Sequence, residues 1–182
     1  EFNMNKDIEK ILFTEEEIAA KTKELAKQIT EDFTGKDFVV VTVLKGGFIF
    51  SSDLVRNIGL DVNINFMVAS SYGDKTESAG DVKIVKDVDL DMNGRSVLIV
   101  EDIVDSGRTL SKLKNRFLQC GAKEVKICTI LDKPSRRVVE IDIDYLGFEI
   151  PDEFVVGYGL DYSEKYRNLP YVGILKREVY EK

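Results

Sequence analysis

The chain has 182 residues, 43% of them hydrophobic and 32% charged, which is enough for one core of ordinary size and points to a single domain. Asp and Glu outnumber Lys and Arg by 33 to 26, and the net charge of −7 argues against a surface built to hold nucleic-acid phosphates. Histidine is absent, which excludes Ser-His and Cys-His nucleophiles, imidazole zinc sites and the commonest general base. Catalysis in this chain must run on carboxylates, Lys, Tyr or a bound metal. No apolar run approaches the roughly 20 residues of a membrane-spanning helix. Cys120 and Cys128 form neither a C-x-x-C pair nor a disulfide framework, so a cytoplasmic protein with no membrane partner is expected. Glu1, Phe2 and Asn3 precede Met4 without the basic start or apolar centre of a signal peptide, and read as residues added ahead of a natural start.

Thr14 and Glu17 fit a capping box, and Ile18, Thr22, Leu25, Ala26, Ile29 and Phe33 recur at helical spacing before Gly35. The run FVVVTVL at 38–44 reads as a strand buried on both faces, broken by Lys45, Gly46 and Gly47 ahead of a helix over 48–57. Residues 62–68 alternate as a further strand. The stretch 70–81 holds only Tyr72 and Ala79 as apolar residues and is expected to be a mobile loop, with a returning strand at 82–85. Asn93 and Gly94 turn the chain into a strand over 96–100, a helix over 109–120 ending at Gly121, and a buried strand over 125–131. Strand, helix and strand in that order predict parallel pairing through a crossover, hence an open α/β sheet with helices on its faces. From Pro134 onward, short β-like pieces around Gly147, Pro151, Gly157, Gly159 and Pro170 predict a small cap over one sheet edge.

Ligands of such sheets bind beyond the carboxyl ends of the strands, so the residues that follow the buried runs carry the information. After the strand at 96–100 come Glu101, Asp102, Ile103, Val104, Asp105, Ser106, Gly107, Arg108 and Thr109. Small side chains, hydroxyls and free N–H groups at a helix start make an anion site that suits a monophosphate. The three carboxylates would repel a bare phosphate unless a hard cation or a hydroxyl-bearing sugar lies between. For the acidic pair alone a solvated helix-capping loop is the simpler reading; the strand, turn and helix together favour the site. Lys45, Gly46 and Gly47 form a second, weaker candidate, more often merely a tight turn. Lys133, between Asp132 and Pro134, is a third, and a lone lysine there is usually solvated.

Read together, VLIVEDIVDSGRTL resembles the ribose-phosphate signature of the type I phosphoribosyltransferases. The order LKGG, SSYG, VEDIVDSGRTL, LDKP and FVVGYGLDYSEKYRNLPYVG is similar to their 6-oxopurine branch, the hypoxanthine or hypoxanthine-guanine phosphoribosyltransferases of purine salvage, over nearly all of the chain after the first helix. The resemblance implies an open, mainly parallel twisted sheet flanked by helices, with a small hood formed by N-terminal residues and roughly 134–182, and a lid at 70–81 that includes Ser71 and Tyr72. It implies transfer of a 5-phosphoribosyl group from phosphoribosyl pyrophosphate to N9 of hypoxanthine or guanine, with Mg2+ as cofactor, by a homodimer or homotetramer.

The resemblance also implies roles. Glu101 and Asp102 would hold the ribose hydroxyls, partly through magnesium, and Asp105, Ser106, Gly107, Arg108 and Thr109 would cradle the 5′-phosphate. Asp105 would also face purine N7 as general acid/base. Lys45 and Gly46 would meet the pyrophosphate, across a Leu44–Lys45 peptide that is often cis in the family. Lys133 would donate to the purine 6-oxo group, Phe154 would stack on the base, and the Val155 backbone would contact its edge. Asp161 and Arg167 would serve the second magnesium and the pyrophosphate. The chemistry of the reaction agrees, because loss of pyrophosphate from ribose C1 leaves oxocarbenium-like charge that calls for electrostatic stabilisation and not for a histidine.

Two other readings stay open at this point. A regulatory relative keeps the phosphate turn and binds nucleic acid, against which stand the acidic charge and the Lys133, Phe154 and Asp161 set. A phosphoacceptor receiver domain also combines an α/β sheet, an acidic pair and a Lys-Pro step after a strand, but carries its acidic pair near the start of the chain.

Overall fold

The computed structural model describes residues 5–71 and 82–181. Its elements, in order, are β1 (Ile8–Phe13), α1 (Glu15–Phe33), β2 (Phe38–Leu44), α2 (Phe48–Asn57), β3 (Asn63–Ser71), β4 (Val82–Lys86), β5 (Ser96–Val104), α3 (Arg108–Gln119), β6 (Glu124–Asp132), a 3-10 turn (Pro134–Arg136), β7 (Tyr145–Glu149), β8 (Val155–Val156), β9 (Val172–Leu175) and α4 (Arg177–Tyr180). Six strands form one sheet in the order β4-β3-β2-β5-β6-β7. Among the described residues only the β3–β4 pair in it is antiparallel. The other three described strands form a small antiparallel sheet, β1-β9-β8, from the N-terminal strand and two strands of the span 134–182, termed the hood.

The run FVVVTVL is apolar throughout because both faces of the large sheet are covered. Phe38 and Val40 join Leu98, Val100, Cys128 and Ile130 beneath α1 and α2, where Leu25, Ile29, Phe33, Phe50 and Leu54 meet them. Val39, Val41 and Val43 point the other way, with Val97, Ile99 and Ile127, onto Leu110, Leu113 and Phe117 of α3. The six α1 positions expected to be buried are the buried ones, and its capping box is intact: the Glu17 N–H donates to Thr14 Oγ1 at 3.2 Å and the Thr14 N–H to Glu17 Oε2 at 2.8 Å.

Three expectations need correction, and one strand had no expectation. β5 runs on to Val104, so Glu101 and Asp102 sit within the strand and not in a loop after it; β6 continues beside β5 through Asp132 and supplies backbone partners that the polar side chains do not reveal. β7 lies inside the span assigned to the hood, yet it pairs parallel with β6 as the sixth strand of the large sheet. Ser70 and Ser71, assigned to the lid, are the last residues of β3 and pair with Lys83 and Val82; Tyr72 and the rest of the stretch to Asp81 lie outside the described residues. β1 was not foreseen as a strand, because Glu9 and Lys10 interrupt its apolar pattern and its partner β9 lies at the far end of the chain. No helix among the described residues is long and apolar enough to cross a membrane.

Candidate active site

β2, β5 and β6 are neighbours and parallel, so their carboxyl ends share one edge of the sheet and bring Lys45, Asp102, Asp105 and Lys133 to one place. The β2 ladder on β5 stops at the Thr42–Val100 pair, and β5 goes on with β6 alone. The turn after β2, which opens with a cis Leu44–Lys45 peptide bond, folds back along this freed side of β5. A Cβ on Gly46 would lie 1.9 Å from Asp102 Oδ2, so only glycine lets the backbone and that carboxylate meet.

The acidic pair is partly buried and internally bonded. The Asp102 N–H donates to Glu101 Oε1 at 3.1 Å and the Ile103 N–H to Asp102 Oδ1 at 2.7 Å. Burial, and then the Asp102 carboxylate beside it, push Glu101 well above the ordinary carboxylate range. Burial raises Asp102 as well, against the pull of the Glu101 hydrogen bond, the Ile103 N–H and the Arg167 charge. Two adjacent carboxylates that resist joint ionisation are a donor set suited to a hard divalent cation. No cluster of three or more carboxylate or thiol side chains stands ready for a metal among the described residues. Mg2+ takes one or two carboxylates and completes its shell from substrate oxygens and water, a requirement the acidic pair meets.

Beyond Val104, a cavity of about 330 Å³ is lined by Glu101, Ile103, Val104, Asp105, Ser106, Gly107, Arg108, Thr109 and Leu110. Gly107, with φ +81°, turns the chain into α3, whose first residues Arg108, Thr109 and Leu110 line this cavity and bring the helix's positive dipole end to it. The Arg108 N–H donates to Ser106 Oγ at 3.4 Å. What holds the turn was not legible in the sequence. The Val138 and Val139 N–H groups both donate to the Ser106 carbonyl, at 3.0 and 2.9 Å. Arg137 Nε donates to the Asp105 carbonyl at 3.1 Å, while the same guanidinium pairs with Asp132. The two side chains of that pair are only 13% and 11% exposed. In the sequence Arg137 reads as one charge in a charged loop; only the return of the chain to the turn before α3 gives it a partner there.

A second cavity, of about 230 Å³, adjoins the first and shares Ile103 and Asp105 with it; its other walls are Asp102, Lys133, Phe154, Val155, Leu160 and Asp161. Lys133 enters from the end of β6, its N–H bonded to the Val104 carbonyl at 2.9 Å, with Nζ 3.9 Å from Asp105 Oδ1 and its side chain 12% exposed. Phe154, Val155, Leu160 and Asp161 come from the hood and the turn after β8. Ile103 and Leu160 were not foreseen, since apolar residues beside a motif look like ordinary core. Apolar walls from Ile103, Phe154 and Leu160, with Lys133, Asp105 and Asp161 converging from the rim, suit a flat heteroaromatic ring.

Arg167 ties the rim together. It donates to the Gly159 carbonyl at 2.8 Å and lies 3.2 Å from both Asp161 Oδ1 and Glu164 Oε1, while its buried Nε has no partner among the described residues. The Glu164 N–H donates to Asp161 Oδ2 at 2.9 Å, and Lys45 Nζ reaches Glu164 Oε2 at 2.8 Å. The lysine of the turn after β2 is thus linked to the Asp161–Arg167 rim.

A mainly parallel sheet whose β5 ends in an acidic pair and turns through Gly107 into α3 has the architecture of a type I phosphoribosyltransferase domain. The phosphoribosyl transferase domain model matches residues 10–163. The chain is 53% identical over 179 residues to a hypoxanthine-guanine phosphoribosyltransferase of Streptococcus thermophilus, covering 98% of this chain and 99% of that one, and 51% identical to that of Streptococcus agalactiae over the same shares. It superposes with a TM-score of 0.94, at 47% identity, on a hypoxanthine phosphoribosyltransferase from Staphylococcus aureus, covering 99% of this chain and 100% of that structure. The chain belongs to the phosphoribosyltransferase family and, within it, to the hypoxanthine-guanine phosphoribosyltransferases. Membership sets aside the receiver-domain reading.

Proposed function

We propose that this site moves a 5-phosphoribosyl group from phosphoribosyl pyrophosphate to N9 of hypoxanthine or guanine. The observation that carries the reading is that the phosphate cradle and the base cavity share Asp105 and Ile103, so a phosphate and a purine bound in them would flank one ribose. The 5′-phosphate sits on the Ser106, Gly107, Arg108 and Thr109 turn, the ribose hydroxyls on Glu101 and Asp102, and the pyrophosphate against Lys45, Gly46 and Arg167. The base stacks on Phe154, its edge meets the Val155 backbone, and its 6-oxo group accepts from Lys133.

In the reaction the bond from ribose C1 to the pyrophosphate oxygen breaks and the bond from C1 to N9 forms. Asp105 takes the proton that the base loses at N7. The negative charge that the Glu101–Asp102 pair carries lies beside the sugar as positive charge develops at C1. Glu101 and Asp102 would hold one Mg2+ and Asp161 would serve a second, which when bound offset the charge of the departing pyrophosphate. A homodimer or homotetramer working in the cytoplasm belongs to the same reading, and light scattering tests the assembly. The activity is tested by incubating the protein with Mg2+, phosphoribosyl pyrophosphate and each purine in turn. Nucleotide and pyrophosphate formed in equal amounts from hypoxanthine or guanine are expected; their absence with both bases would overturn the reading.

A further inference from the structure

Phe154 lines the base cavity, yet one of its faces is already taken. The Tyr180 ring stacks on it with centroids 4.8 Å apart and planes inclined by 23°. Tyr162 meets the same ring edge-on at 5.6 Å and lies 6.5 Å from Tyr180, so three rings form one block. Tyr180 is not among the residues that line the cavity, so the cavity meets the part of Phe154 that Tyr180 leaves open.

The backbone of Phe154 is held by β9, through the Leu175 N–H donating to its carbonyl at 2.8 Å, but a backbone bond leaves both side-chain torsions free. A flat ligand that stacked on a swinging ring would lose affinity to the ordering of that ring. Tyr180 has the means to prevent the swing. It ends the single turn of α4, where the Val179 N–H donates to the Lys176 carbonyl and the Lys176 N–H to the Asp7 carbonyl, both at 3.0 Å. Val179 and Tyr180 also pack against the hood core of Ile8, Val156, Tyr171 and Leu175.

We propose that Tyr180 is a positioning residue for the base: stacked behind Phe154, it sets the plane on which the purine lies, so the last turn of the chain tunes purine affinity and not phosphoribosyl affinity. The proposal rests on the reading that Phe154 stacks on the base. Aromatic pairing of this kind corresponds to a change of about 3- to 10-fold in an equilibrium constant.

The experiment varies each substrate with the other saturating, in the parent, Tyr180→Ala, Tyr180→Leu and Tyr180→Phe. Calorimetry with ribose 5-phosphate and with the hypoxanthine nucleotide accompanies the kinetics. Tyr180→Ala is expected to raise the KM for hypoxanthine by about 3- to 10-fold and to weaken the nucleotide alike. The KM for phosphoribosyl pyrophosphate and the affinity for ribose 5-phosphate should stay as in the parent. Tyr180→Leu, which keeps apolar bulk in the hood, should show the same split, and Tyr180→Phe should restore parental values. An unchanged hypoxanthine KM, or both KM values rising together in Tyr180→Leu, would overturn the proposal. A parent that forms no nucleotide and binds the hypoxanthine nucleotide no better than ribose 5-phosphate would overturn the transferase reading itself.

Discussion

Asp102 Oδ2 occupies the place where a side chain on Gly46 would begin, 1.9 Å from an ideal Cβ. Two segments 56 positions apart in sequence, the turn after β2 and the acidic end of β5, are therefore in direct contact. Gly46→Ala must push either the carboxylate or the turn aside. Misplacement of about 1 Å in such a site costs on the order of 10²-fold in rate. The expected result is a kcat/KM for phosphoribosyl pyrophosphate lower by about that factor, with the melting temperature within a few degrees of the parent. Parental kinetics would mean that the contact has no part in the reaction.

Asp105→Asn should leave the phosphate cradle standing, because the Asp105 and Ser106 carbonyls are what Arg137, Val138 and Val139 hold. Loss of a positioned acid/base lowers turnover by roughly 10²–10⁴. Ribose 5-phosphate binding, measured by calorimetry, should stay within a fewfold. Turnover close to the parent's would reduce Asp105 to a capping carboxylate.

Arg137→Met removes one partner of the nearly buried pair with Asp132 and should destabilise the protein by about 3–5 kcal/mol, since a charge is left without its counter-ion. Combining it with Asp132→Leu should recover most of that loss. The KM for phosphoribosyl pyrophosphate should remain raised in the double variant, because the bond from Arg137 to the Asp105 carbonyl is still missing. Denaturant melts separate the first effect and steady-state kinetics the second; a double variant with a parental KM would show that Arg137 serves only stability.

Lys133 should make the enzyme reject adenine. An ammonium only donates hydrogen bonds, so it satisfies a 6-oxo acceptor and leaves the 6-amino group of adenine unpaired. Mispairing of this kind discriminates by about 10⁴–10⁵. Lys133→Ala should lose much of its rate with hypoxanthine and narrow the hypoxanthine-to-adenine ratio, while phosphoribosyl pyrophosphate binding changes little. A variant that kept the parental ratio of specificity constants would place the discrimination elsewhere.

What the chain determines by itself is what neighbouring residues can report. Alternate residues of FVVVTVL face two covered sides, so the sequence alone announces a central strand and, with the βα repeats around it, a parallel sheet with helices on both faces. The capping box of Thr14 and Glu17 and the glycine turn into α3 are local for the same reason: their hydrogen bonds and backbone angles are satisfied within a few residues. The turn before α3 and Lys133 were legible because each directly follows a buried strand, and the acidic pair because it interrupts the apolar run of β5. The tertiary structure decided whatever depends on a partner distant in sequence. β5 extends past Val100 because β6 runs beside it, and β7 leaves the hood for the large sheet because β6 has a free edge. Arg137 reaches the phosphate turn only after the chain doubles back, and Tyr180 reaches Phe154 only because β9 carries the chain end across the hood. Periodicity records that a side chain is buried; which side chain it is buried against is set by strand pairing and loop return, and neither leaves a pattern within any short window of sequence.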